Sequence, residues 1–91
     1  MFTKKIEVDA SLFTDRKAVH DALRAAIGSE NYIGSNLDAL NDVLTSIGRK
    51  TRIKIRHFCA ARDNLGEYAE TLAYVLASAA CSNPYLTVIF E

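Results

Sequence analysis

The sequence predicts an α/β fold in which a three-stranded parallel sheet is packed with helices. Two observations carry this. The apolar spacing switches several times between the period of two that marks a strand and the period of three to four that marks a helix. The resulting order is strand, helix, helix, strand, helix, strand, so helix separates each strand from the next. That order favours parallel pairing with right-handed crossovers.

The elements follow in turn. Lys4–Val8 alternates charge with Ile6 and Val8 and reads as a short first strand. Thr14–Ile27 places Val19, Leu23 and Ala26 at helical spacing, with Thr14 or Asp15 to cap its start and Gly28 to close it. Gly28–Gly34 reads as a loop holding Tyr32 and Ile33. A second helix is expected over Asn36–Ile47, capped by Ser35 or Asn36 and ended at Gly48. Arg52–Phe58 reads as a strand with Ile53, Ile55 and His57 on one face and Arg52, Lys54 and Arg56 on the other. Cys59–Asn64 is expected to form a short helical turn. Glu67–Ala80, rich in Ala and Leu, is a strong helix that Asn83-Pro84 stops. Tyr85–Phe90, rich in β-branched residues, is the last strand.

At 91 residues the chain reads as one domain, residues 1–91, with room for one core. Hydrophobic residues make up 49% and charged residues 24%, the balance of a soluble globular protein. The longest apolar stretch, Leu72–Cys81, is broken by Ser78 and falls short of the roughly 20 residues a membrane span needs. The Lys4-Lys5 pair is not followed by the apolar run of a signal peptide, so a cytoplasmic location is expected. Cys59 and Cys81 lack metal-ligand spacing and are expected as small buried thiols. No cofactor or metal is expected.

Net charge is zero, so charge distribution says more than its sum. From Ile27 to Gly48 there is no Lys or Arg, while Glu30, Asp38 and Asp42 are acidic; Arg49, Lys50, Arg52, Lys54 and Arg56 follow at once. On a helix from Asn36, Leu37, Leu40 and Leu44 form the core stripe. Asp38, Asn41, Asp42 and Thr45 form the opposite face. Asp38 and Asp42, four residues apart, repel each other, at a cost to a helix of roughly 0.2–0.5 kcal/mol. The helix dipole favours Asp38 in the first turn and helps Asp42 less. No basic residue in the helix offsets either. Two carboxylates on a rigid helix resemble the spaced phosphate oxygens of a nucleic acid, and an enzyme that grips phosphate with Arg, Lys and His would accept them. On pattern alone, a solvated helix face is the commoner meaning of such charges.

The run Asn31–Leu44, NYIGSNLDALNDVL, resembles the signature of the barstar family. Tyr32, Gly34, Asn36, Leu37, Asp38, Ala39, Leu40, Asp42 and Leu44 stand at matching places, and the Lys-Lys start, Ala69-Glu70 and the Leu-Thr-Val-Ile ending also fit. The resemblance implies a barstar-like fold and an inhibitor or immunity protein that blocks the active site of a small microbial ribonuclease or RNase toxin. It implies that Asp42 enters the catalytic cleft in place of substrate phosphate and that Asp38 adds a second carboxylate contact. Tyr32, Asn36, Leu37, Asn41 and Thr45 would surround them. Ile33, Asn41 and Ile47 stand where the family has aromatics, and Ser78 and Ser82 where it has acidic residues. The family's strongly acidic balance is also missing. These departures point to a cognate ribonuclease other than barnase.

Two other function classes compete. The basic run Arg49–Arg56 could track nucleic-acid phosphates, but no aromatics interleave with it, and a solvated sheet face is the plainer reading. An enzyme would draw on His57 and Cys59, two apart at a strand end, yet no third group to orient them is visible in the sequence. His20 reads as a surface or boundary residue, and Tyr85 as packed at the sheet end.

Overall fold

The computed structural model describes residues 3–28 and 36–91. The elements run β1 (Lys4–Asp9), a 3-10 turn (Ala10–Leu12), α1 (Arg16–Ile27), α2 (Leu37–Thr45), β2 (Thr51–Arg56), α3 (Phe58–Leu65), α4 (Glu67–Ser82) and β3 (Leu86–Phe90). The expected α/β fold is observed: the three strands form one sheet in the order β1-β2-β3, and both pairs are parallel. Two right-handed crossovers that step the same way across a sheet put both helical connections on one face. Burial agrees. Ile6, Val8, Ile53, Ile55 and Leu86 point into the core, while Lys5, Glu7, Arg52, Arg56 and Thr87 are exposed on the other face.

Local chemistry sets the helix ends. The Asp15 carboxylate accepts the Ala18 N–H at 2.7 Å, so Asp15 rather than Thr14 caps α1. Gly28 closes α1 at φ 66°, a left-handed conformation that glycine adopts without a Cβ clash. Asn83 ends α4 two residues past the expected Ala80, its N–H reaching the Ala79 carbonyl at 2.9 Å.

Several expectations are corrected. β2 stops at Arg56 because His57 turns left-handed, φ 59°, and starts α3 instead of extending the strand. His57 is therefore exposed and does not share the inner face of Ile53 and Ile55. The short turn expected over Cys59–Asn64 is the eight-residue α3, anchored where Phe58 meets Phe90 edge-on with ring centroids 5.1 Å apart. Cys59 and Cys81 are both exposed. The inward positions of their helices are taken by Ala61 in α3 and by Leu72, Leu76 and Ala79 in α4, which turns both thiols outward. Tyr85 is also exposed, at 49%. His20, by contrast, is fully buried because Tyr68 of α4 supplies a polar partner, its hydroxyl 2.7 Å from Nε2.

Candidate functional site

The acidic face belongs to α2, and its placement starts with Asn36. That residue is extended (φ −138°, ψ 170°) and its Oδ1 accepts the Ala39 N–H at 2.8 Å, so Asn36 is the helix cap. Leu40, Val43 and Leu44 are buried, and Leu37 and Ala39 are half-buried against the core. The core stripe thus includes Val43 beside the expected leucines. With one side fixed inward, Asp38, Asn41, Asp42 and Thr45 are all exposed. Asp38 and Asp42 sit one turn apart, about 6 Å along the axis. Tyr32, with the rest of the loop at 29–35, lies outside the described residues.

The helix ends at Thr45 and not at the expected Ile47. Side chains consume the last carbonyls. The Thr45 hydroxyl donates to Asn41 O at 2.8 Å and Asp42 O at 3.2 Å, and the Ser46 hydroxyl donates to Asp42 O at 2.7 Å. The backbone then tightens, with Ser46 N–H on Val43 O and Ile47 N–H on Leu44 O.

Sequence reasoning missed the residue that holds this end in place. Asn83, only 5% exposed, donates from Nδ2 to both Leu44 O and Ile47 O at 2.9 Å, and its Oδ1 accepts the Tyr85 N–H at 2.9 Å. It ties the end of α2 to the junction of α4 and β3, adding a side-chain donor to Leu44 O, which the Ile47 N–H reaches only at 3.4 Å, and to Ile47 O just past the helix. The sequence marks Asn83 as a helix stop; nothing local in it points to carbonyls 36 and 39 residues away.

Asp42 also lines a cleft with Lys4, Ile27, Ser46, Ile47, Arg49 and Thr51, at the N-terminal ends of β1 and β2. Neither Lys4 nor Arg49 comes within ion-pair distance of it. Among the described residues neither Asp38 nor Asp42 has a salt bridge. Ser82 is exposed and Ser78 half-buried, so the α4 positions that the resemblance associates with acidic residues carry hydroxyls here.

The competing sites assemble less well. On the open sheet face, Arg56 meets Glu7 and Lys54 meets Glu91, each at 3.5 Å, so two of the three cations on β2 have acidic neighbours. At the C-terminal ends of the strands, His57 Nδ1 lies 3.1 Å from Asp9 Oδ1. Asp9 is the orienting group that the sequence did not reveal, and the Ser11 hydroxyl and N–H, followed by His57, hold its carboxyl down to about 2. Among the described residues, however, no hydrogen bond joins His57 to Cys59, so the nucleophile–base contact is not made. No group of three His, Cys, Asp or Glu residues suited to a metal occurs among the described residues, and no helix there is long and apolar enough to cross a membrane.

Fold and helix together define a class: small α/β proteins whose three-stranded parallel sheet carries its helices on one face and whose short acidic helix lies at the N-terminal ends of the strands. The chain belongs to the barstar family; the family model described as Barstar (barnase inhibitor) matches residues 3–85. It is also similar to "Putative ribonuclease inhibitor YrdF" of Bacillus subtilis (strain 168), with 31% identity over 77 residues, which is 84% of this chain and 85% of that protein.

Proposed function

We propose that this protein inhibits a ribonuclease by seating the exposed face of α2 in the enzyme's phosphate-binding cleft. Family membership and the name of the Bacillus subtilis relative support a ribonuclease as partner. The observation that carries the mechanism is the bare pair Asp38 and Asp42, exposed on a helix whose other side is buried and whose two ends are tied by Asn36 and Asn83. A helix so held presents its carboxylates without a further ordering cost on binding. Asp42 replaces substrate phosphate opposite Arg or His groups of the enzyme, and Asp38 adds a second charged contact. Asn36, Leu37, Asn41 and Thr45 border them, and Tyr32, outside the described residues, is the remaining contact that the resemblance implies. The hydroxyls at Ser78 and Ser82 and the neutral total charge weaken long-range steering toward a basic enzyme. A cognate RNase toxin, with this chain as its cytoplasmic immunity protein, fits these features better than barnase.

The test is paired capture. The chain and its Asp38→Ala/Asp42→Ala variant serve as baits in extracts of the source cells, and ribonuclease activity is assayed after dissociation. Latent ribonuclease on the natural bait alone supports both the function and the helix. Equal capture by both baits retains the inhibitor and removes the phosphate-mimic mechanism. Ribonuclease on neither bait removes the function.

A further inference from the structure

The two edges of the sheet differ in a way that the inhibitor reading does not use. Hydrogen bonds fix which backbone groups point outward. Lys4 N–H donates to Lys50 O, so Lys4, Ile6 and Val8 turn their backbone groups toward β2, and those of Lys5, Glu7 and Asp9 face away from the sheet. Every outward position on the β1 edge therefore carries a charged side chain, the common protection against edge pairing. On the other side, Thr51 N–H donates to Tyr85 O and Glu91 N–H to Ile55 O. The same alternation leaves Leu86, Val88 and Phe90 facing outward on the β3 edge. The Leu86 N–H turns back to Asn83 O; among the described residues, the N–H groups of Val88 and Phe90 and the carbonyls of Leu86, Val88 and Phe90 have no backbone partner beyond the sheet. No charged residue protects this edge, because Thr71–Phe90 contains none.

We infer that the β3 edge pairs with the β3 edge of a second copy of this chain, giving a reversible two-fold dimer with a continuous six-stranded sheet. The edge is complementary to itself. Antiparallel pairing about Val88 sets Val88 opposite Val88 of the other copy and Leu86 opposite Phe90, so the outward groups meet in phase. Thr87 falls opposite Ile89 on the open face. Charge is compatible as well, since Leu86–Phe90 carries no charged side chain to repel its copy. The size of the contact sets its strength. A five-residue strand is about 17 Å long, and a single strand pair falls below the roughly 1,200 Å² of a stable interface, so the dimer is a weak one. The acidic face of α2 is left free in each copy.

The experiment is sedimentation of the full chain over a concentration series, alongside two variants. Val88→Pro removes an N–H that points outward and leaves the β2–β3 bonds intact. Thr87→Lys/Ile89→Lys places lysines opposite each other across the two-fold axis. Circular dichroism checks that each variant is folded, and if the proline variant is not, the lysine pair decides. The expected result is a natural chain whose average mass rises toward twice the monomer mass at concentrations on the order of 100 µM, while folded variants stay monomeric. Exchange of the Val88 and Phe90 amide protons should slow over the same range. A natural chain that stays monomeric throughout overturns the proposal. So does a dimer that survives unchanged in a folded variant. Neither result bears on ribonuclease capture, so the two readings fail separately.

Discussion

The molecule carries two charged surfaces, and they are built differently. On the open sheet face two of the three β2 cations have an opposite charge nearby, Arg56 beside Glu7 and Lys54 beside Glu91, while Arg52 is set in register with Lys5. On α2, Asp38 and Asp42 stand on one helix face with no salt bridge among the described residues. The first arrangement is offset in part within the fold. The second costs the helix a small repulsion with no return inside the fold. The count of charges alone does not reveal which of them the fold supplies with opposite neighbours.

Four measurements break or sharpen this contrast. The largest effect is expected at Asp42. Asp42→Ala should weaken binding to the captured ribonuclease by about 2–5 kcal/mol, the usual cost of truncating one side of a buried charge pair, with little change in the unfolding midpoint. An affinity loss below roughly tenfold, about 1.4 kcal/mol, would place α2 in the same category as the sheet face. Binding should also weaken as salt rises.

The next effect lies beneath the helix. Asn83→Ala removes a buried side-chain donor from Leu44 O and Ile47 O and should destabilise the fold by about 1–3 kcal/mol, read as a shift in denaturant midpoint. Amide exchange in α2 should quicken, and affinity should fall although Asn83 is buried. If stability falls while α2 exchange is unchanged, Asn83 is a packing residue and does not position the site.

A third effect concerns pH. Burial, then the charge of Arg24, lowers the pKa of His20 below its ordinary 6.5. The unfolded chain therefore takes up a proton near that value while the folded chain resists it. Stability should drop as pH falls below about 6.5, until the folded form also protonates. Denaturation at pH 8 and pH 5 should show this loss, and His20→Gln should reduce it. An unchanged pH dependence in that variant would remove His20 as the cause.

The smallest effect belongs to the sheet face. Arg56→Ala and Lys54→Ala break exposed contacts and should each change stability by less than about 0.5–1 kcal/mol, with no effect on ribonuclease affinity. A marked loss of affinity from either would show that both charged surfaces engage the partner.

Much of this architecture was legible along the chain. Alternation in Lys4–Val8 and Arg52–Arg56, and the leucine spacing after Asn36, are local signals that survive whatever packs on them. What local signals missed were side chains whose partners lie far away in sequence. His20 read as a boundary residue because Tyr68, 48 residues on, could not be paired with it. Asp9 and His57 are likewise 48 residues apart. The cysteines were misplaced for another reason: composition makes a thiol a good core residue, but which turn of α3 or α4 faces inward is settled by the apolar positions around it.

The sequence by itself determined the element order, the parallel sheet and the split of α2 into an apolar and an acidic side, because each follows from periodicity and short-range capping. Only the tertiary structure decided that α2 stops at Thr45, that Asn83 grips its end, and that two cations of one charged surface gain acidic neighbours while Asp38 and Asp42 gain no salt bridge among the described residues. Those outcomes depend on which distant groups come within hydrogen-bond or ion-pair distance, and a chain acquires such neighbours only by folding.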